Sequence, residues 1–485
     1  MAYTILGIIL TFITPFGVIG LASVMRKLGA EAEVSRKLTH ILLSNWILLA
    51  LAVYRSAWAC VAPACFVVLN YISYRKGLFS AIERDEDNTP GTVLYAVSLF
   101  LLCLAGYTLK MPWIAACGML AMGYGDGFGA LVGKRWGKSR FPGAHSQKSI
   151  VGVLTVMIMS GLAVGIVCAV YAPNIAPHFA IRAALACAIP AAALELFSPS
   201  GTDNLTLPLG VSLIVFLLVR YPLLWPIFIC LSIALFILIA AYYFHAVTFW
   251  ALQAATLLGV ALFVFGGWLS FAALVLFFLL GSAASPIGKN KKENARALHD
   301  RRGPRCVAQV AANGLPPLIF AALYHSAGVN TYLLAVLGCF AAAAADTFSS
   351  EIGMLSNKEP FSILSFKPIQ RGISGGVTLL GFIGAALGAF VVSIIALPTF
   401  GIQGMLVVFA VGFAGSLIDS VLGAAFQAKY KAKSEDTEGC AEQLTECKNL
   451  DGKPFELAQG IRWVNNDVVN FIAVFLSGLL IAISK

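Results

Sequence analysis

The chain reads as a series of long apolar runs separated by short polar ones. In the first half the runs fall at about residues 2–24, 38–54, 57–74, 91–109, 111–132, 150–172, 179–197 and 204–219. The second half adds about 223–244, 246–265, 267–285, 312–327, 330–346, 374–398, 401–427 and 467–483. Most are long enough to cross a hydrocarbon core of about 30 Å as a helix. Backbone groups in lipid must pair internally, which predicts helices, and the runs lack the alternation that a barrel requires. The expected fold class is all-α: a polytopic integral membrane protein with roughly 15–16 transmembrane helices in two bundles.

Composition strengthens this picture. The 485 residues are 59% hydrophobic and only 12% charged, against roughly 25% charged in a soluble domain. Residues 2–24 carry no basic leader, and further spans follow at once, so they read as the first membrane helix and not as a signal peptide. The net charge of +10 sits in a few loops. It fits the positive-inside rule rather than nucleic-acid binding, and it predicts a cytoplasmic face for most polar loops in a bacterial-type cytoplasmic membrane. The densest basic run, GKNKKENARALHDRRGPR, covers residues 288–305. The longest loop, 428–462, mixes both signs. Most of the 11 cysteines lie within apolar runs, and no spacing matches a metal site, so no structural disulfide and no zinc are expected.

Charged residues inside apolar runs are costly and point to function. Asp126 precedes Gly129 and Gly133 on one helical face, which would leave room for a ligand; the same glycines also suit close helix packing. Lys134 follows in the basic segment. Lys148 and Ser149 open the next run, where a cation and free N–H groups can hold phosphate. Glu195, Asp203 and Asn204 flank the turn FSPSGTDN and form a candidate Mg²⁺ and phosphate site, with Asp203 also a candidate N-cap. Arg36, Lys37 and His40 open an earlier span.

The second half has its own set. Asp346, Ser349, Ser350 and Gly353 share a helical face beside Glu351, and Asp419, Gly423 and Gln427 share another. The two carboxylates can meet across a bundle around a metal ion, a proton or a distant cation. Lys289, Lys292, Lys367 and Arg371 are candidate cations, and Asn313, Asn466, Asp467 and Asn470 add polar groups. The halves echo each other weakly: Asp126, Lys148 and Asp203 run in the same order as Asp346, Arg371 and Asp419. A boundary near 220–245 follows. The chain has no Walker A frame, no HExxH and no nucleophile elbow.

Residues 1–222, with RKLTH, GDGFGALVGKRWGK, QKSIVG and SGTDNLTLPL, resemble the dolichol kinase and phytol kinase family of CTP-dependent prenol kinases. Residues 223–485, with GSAASPIGKNKKEN, VAANG, ADTFSSEIG, RGISGGVT, GSLIDSVLGAAFQ and NNDVVN, resemble the DUF92-type membrane family that includes phytyl-phosphate kinase. The resemblance implies two kinases in one polypeptide. The first would phosphorylate a prenol from CTP or another nucleoside triphosphate with Mg²⁺, and the second would convert the monophosphate to the diphosphate. It implies catalytic roles for Asp126, Asp203, Asp346 and Asp419, and metal binding by these together with Glu195 and Glu351. The implied partners are the lipid bilayer, the prenyl substrates and the nucleotide, with no nucleic acid. Two other readings stay open: a cytidylyltransferase making a CDP-lipid, and a multi-span transporter.

Overall fold

The computed structural model describes residues 2–76, 90–141, 148–176, 178–199, 201–285, 287, 303–432, 443–446, 449–450 and 453–484. They fall into two compact units, Met1–Ile239 and Ala240–Lys485. Both are helical, as the apolar runs predict.

The first unit holds α1 (Ala2–Lys27), α2 (Ala32–Ser44), α3 (Trp46–Val53), α4 (Val61–Lys76), α5 (Gly91–Thr108), α6 (Trp113–Trp136), α7 (Ile150–Tyr171), α8 (Phe179–Phe197) and α9 (Asp203–Arg220). The division between the units falls within α10 (Trp225–Tyr243). The second unit continues with α11 (Phe249–Ala284), α12 (Val307–Ala327), α13 (Asn330–Gly353), α14 (Leu379–Ser393), α15 (Leu397–Ala425) and α16 (Asn466–Ile483).

Among the described residues, 14 continuous helical stretches are long and apolar enough to cross a membrane. Two of them are double. The 36-residue α11 contains Gly267 at φ 68, ψ −167, a conformation essentially restricted to glycine. Thr248, its N-cap, donates its N–H to the Arg305 carbonyl, and the Arg305 guanidinium lies against Gly281 at the other end. A straight helix of this length would separate its ends by about 54 Å. One residue cannot touch both, so the chain folds back at Gly267.

The stretch Leu379–Ala425 behaves alike. Gly401 has φ 64, ψ −168. Gly375, just before the stretch, packs on Ala424 near its end. Its 47 residues would span about 70 Å if straight. Counting each leg separately gives sixteen crossings.

The two units share a packing plan. In the first, α6 packs on α7, α7 on α8, α8 on α9, and α9 on both α6 and α5, while α5 also touches α6. In the second, α12 to α16 make the same set of contacts in the same order. The details agree. Gly133 stands seven residues after Asp126, as Gly353 does after Asp346. Ser149 caps α7 by accepting from the Gly152 N–H at 3.2 Å, and Thr378 caps α14 by accepting from Gly381 at 3.0 Å. A Cβ on Gly133 would lie 3.2 Å from Gly152 Cα, and one on Gly353 would lie 3.3 Å from Gly381 Cα.

This corrects the pairing expected from sequence. The counterpart of Thr378 is Ser149, so Arg371 does not match Lys148. Asp419, near the end of the third helix of the plan, corresponds to Glu195 rather than Asp203. Asp203 opens the fourth helix, as Asn466 and Asp467 do in the second unit. Of the expected triple only Asp126 and Asp346 correspond, because loop lengths differ between the halves and shift any count by residue number.

The second correction concerns the glycine face of α6. It is closed by α7, not left open to a ligand: a Cβ on Gly129 would meet Val156 at 2.5 Å and the Gly152 carbonyl at 3.2 Å. In α13, Ala341 to Ala345 are likewise buried, and Gly388 of α14 rests on the Ala344 carbonyl. Small residues let these backbones approach, which is the means of helix association in lipid, where apolar burial gives little drive. The core of the second unit is completed by Leu262, Phe320, Phe340, Val408 and Ile481.

The segment after α15, read from sequence as a loop, forms a small antiparallel sheet. Its strand β1 (Lys429–Ala432) lies between β2 (Gln443–Thr445) and β3 (Glu456–Gln459). The sheet pins Tyr430 and Lys429 in buried positions.

The fold-back at Gly267 predicts the sidedness of its flanks. With the native cysteines replaced, Thr248→Cys and Ser285→Cys should react with an impermeant maleimide from the same side of sealed vesicles. Labelling from opposite sides would show a single crossing.

Candidate functional site

In the first unit the intramembrane charges converge. Lys37 from α2 donates to Asp126 of α6, and both are buried. His40, one turn further along α2, holds Nδ1 at 4.0 Å from the second Asp126 oxygen, beyond hydrogen-bond reach. Lys148, just before α7, donates to the Glu195 carboxylate at 2.7 Å and to the Glu195 backbone carbonyl. Burial opposes the charge of Lys148, but the Glu195, Asp203 and Asp126 carboxylates outweigh it and hold the ammonium above the ordinary lysine range. Asp126, Glu195 and Asp203 each present an oxygen within 4.8 Å of the others. The helix ends that carry Lys148, Glu195 and Asp203 thus meet around Asp126.

This donor set suits a hard divalent cation. It is all oxygen, as Mg²⁺ requires. The second Glu195 oxygen is buried with no hydrogen-bond partner. Such an orphan is costly unless a ligand or ion completes it.

Other expected residues lie at the margins. Arg36 approaches Glu33 at 3.9 Å. Lys134 belongs to the last turn of α6, where a cation complements the helix dipole, and it pairs with Glu31 and Glu33 on the surface. Lys134 in turn holds the Glu31 carboxyl below its usual range. Ser149 is spent on its cap and on the Gly133 carbonyl. Asn204 joins α9 to α5, donating to Gly91 O at 3.2 Å and accepting from Ser98 through its own carbonyl. The N-cap of α9 is Thr202, not Asp203, which is the first helical residue; its Oδ1 accepts from the Asn204 N–H at 3.0 Å.

The second unit has a cavity of about 900 Å³. Asp346 and Asp419 meet there, close enough for their carboxyls to share a hydrogen bond. Two carboxylates in contact repel unless a proton or a cation lies between them. Asn313, Ser350, Glu351, Arg371, Gln427, Asn466 and Asn470 line the same cavity. Gln427 Oε1 and Asn470 Oδ1 are buried without hydrogen-bond partners. Ser350 bonds back to the Asp346 carbonyl, and Asn313 to the Gln309 carbonyl. Arg371 reaches the Lys358 carbonyl at 3.3 Å. Lys367 is exposed and does not line the cavity. Lys289 and Lys292 lie outside the described residues.

Two cavity residues, Arg305 and Glu446, lie outside the set expected from sequence. Arg305 stacks over Phe278 at 5.2 Å, and Ser285 donates to Glu351 at 3.2 Å on the same wall. Burial lowers the pKa of Arg305, and Glu351 opposes that shift. Arg305 ends the basic run, where it reads as one topogenic charge among many. Glu446 accepts from the Ser374 N–H at 2.7 Å, yet sits in the most polar stretch of the chain. Asp467, expected as one of the polar groups at membrane depth, also lines the cavity.

The Lys37–Asp126 contact predicts a clear energetic signature. Lys37→Met should strand a buried carboxylate and destabilise the protein by about 3–5 kcal/mol, whereas adding Asp126→Leu should recover most of the loss. Thermal unfolding of the three variants in detergent measures this; equal destabilisation in single and double variants would refute it.

Comparisons with known proteins place this architecture. The family described as "Integral membrane protein DUF92" matches residues 232–478. A phytol kinase of Synechocystis is 36% identical over 186 residues, covering 38% of this chain and 79% of its own. An uncharacterized membrane protein of Methanocaldococcus jannaschii is 38% identical over 176 residues, covering 36% and 72%. The chloroplastic protein VTE6 of Arabidopsis thaliana is 27% identical over 238 residues, covering 47% and 62%. No solved structure matches. The chain belongs to the DUF92 integral membrane protein family and, with it, to the phytol-kinase-like membrane proteins.

Proposed function

We propose that this protein is a membrane kinase of isoprenoid alcohols with two consecutive phosphoryl-transfer centres. The first unit makes the prenyl monophosphate and the second makes the diphosphate. CTP or another nucleoside triphosphate is the donor, and both centres face the cytoplasm. The observation that carries this reading is the presence of two separate acidic centres on one shared helix plan, Asp126–Glu195–Asp203, of which the first two are buried, and Asp346–Asp419, which is partly buried. The resemblance to a phytol kinase supplies the substrate class.

Phosphoryl transfer needs positioning and charge neutralisation more than covalent chemistry. In the first centre the prenol oxygen forms a bond to the terminal phosphorus of the nucleotide while the bond to the departing diphosphate oxygen breaks. The hydroxyl proton passes to a carboxylate of the cluster. Lys37 keeps Asp126 ionised and in place. Lys148, released from Glu195, supplies a cation for the transferred group. Asp126, Glu195 and Asp203 would hold Mg²⁺, which neutralises phosphate charge when bound. In the second centre Asp346 and Asp419 occupy the corresponding helices, with Arg305 and Arg371 as cations along the cavity wall. A common membrane keeps the amphiphilic intermediate at high effective concentration near the second centre.

The test is an assay of membranes with CTP and radiolabelled prenol. Asp126→Asn or Asp203→Asn should reduce monophosphate formation on the order of 10²–10⁴-fold, while added monophosphate is still converted. Asp346→Asn or Asp419→Asn should leave monophosphate accumulating. Loss of both steps in either set, with the protein folded, would refute two centres. Release of pyrophosphate in place of CDP would identify a cytidylyltransferase, and no transfer to either substrate would favour a carrier.

A further inference from the structure

Near the first acidic centre, α1 to α5 enclose a narrow slot of about 60 Å³. Its walls are largely apolar, with Trp46, Phe66, Ala96 and Leu99 among them. Tyr95 and His40 are among the lining residues, and the Tyr95 hydroxyl and His40 Nδ1 are both buried. Both residues are more than nine-tenths buried, at 8% and 9% exposure. Neither atom has a hydrogen-bond partner. Their rings meet edge to face with centroids 5.4 Å apart. Of the other lining residues with polar groups, Asn70 donates to the Thr92 carbonyl at 3.0 Å and the Trp46 indole donates to the Thr11 carbonyl at 2.8 Å.

Buried polar groups are almost always satisfied, so two orphans in one apolar slot call for a ligand. The ligand must be apolar along its length and carry one group that both donates and accepts. An alcohol does so: it can accept from the tyrosine O–H and donate to an unprotonated imidazole nitrogen. A phosphate monoester does not, since it would bring charge into an apolar slot with no cation on its wall. The position is also right. The His40 nitrogen lies 4.0 Å from Asp126, so a hydroxyl held there sits at the edge of the carboxylate cluster. On the outer surface, α1 exposes Ile13 and Phe16, and α4 exposes Val68 and Ile72, so two of the helices that line the slot carry apolar side chains outward.

We infer that this slot is the alcohol subsite: it takes the hydroxyl end of an isoprenoid alcohol, positioned by Tyr95 and His40, and it rejects the phosphorylated product. The inference deepens the reading of the first unit as a prenol kinase and rests on it for the identity of the occupant. Rejection of the product explains how the first centre releases its monophosphate to the second.

The experiment uses the full chain in lipid nanodiscs with a long-chain prenol analogue that carries a diazirine near its hydroxyl end. Illumination should label peptides containing Phe66 and Leu99, and excess phytol should abolish the label while the prenyl monophosphate should not. Ala96→Phe, which fills the slot, should remove the label. The milder Tyr95→Phe should raise KM for the alcohol about fivefold, the size of one neutral hydrogen bond, with kcat little changed and conversion of added monophosphate intact. Labelling elsewhere, competition by the monophosphate, or an unchanged KM in a folded Tyr95→Phe protein would overturn the subsite. Slot labelling without any phosphoryl transfer by the wild-type protein would instead overturn the kinase reading and leave the alcohol site standing.

Discussion

A carboxylate placed in a lipid-embedded helix must have a partner, because neither water nor a polar neighbour is supplied by the bilayer. Asp126 meets this requirement through Lys37, and much of the first unit is arranged to make that contact possible. The two residues stand 89 positions apart, so α2 and α6 must be held side by side. A Cβ on Gly123 would collide with Ser44, and one on Gly127 would collide with Ile41. The absence of side chains at these two glycines is what brings α2 close enough for Lys37 to reach. The pair thus couples a packing constraint to an electrostatic one.

The second unit answers the same requirement differently. Asp346 has no basic residue in contact through its own span, and it meets Asp419 instead. Two acids facing each other beside a large cavity form a centre that is incomplete without a proton or a cation. The first centre carries its own ammonium groups. The second draws its cations, Arg305 and Arg371, from loops that border the cavity. One helix plan therefore supports two electrostatic environments. The narrow apolar slot belongs to the unit whose central aspartate is paired with an ammonium group, and the larger polar cavity belongs to the other.

Small residues do much of the structural work. Glycine and alanine line the contacts of α6 with α7 and of α13 with α14. Gly267 and Gly401 make nearly identical reversals inside apolar runs. At these points the backbone leaves the helix for a conformation closed to side-chain-bearing residues. The site-facing ends are then secured by hydroxyl and amide caps at Ser149, Thr378 and Asn465. Caps and glycine contacts together fix where each acid-bearing helix begins, and hence which carboxylates can meet.

By itself, the sequence determined the membrane class, the number and approximate limits of the spans, and the identity of the acids at membrane depth. These follow from local properties: an apolar run of sufficient length must be a helix in lipid, and a charge within it is conspicuous. The sequence also carried a weak echo of charged motifs between the two halves. Only the tertiary structure decided which residues correspond. Asp419 proved to match Glu195, because the match is set by packing and not by counting along loops of unequal length. The glycine face of α6 looked equally suited to a ligand or to a helix, and α7 closed it. Arg305, Glu446 and Tyr95 are each ordinary in their own neighbourhood: a basic residue in a basic loop, an acid in a polar segment, a tyrosine in an apolar helix. Their meaning comes from what faces them across the bundle, and that is a property of no local stretch of chain.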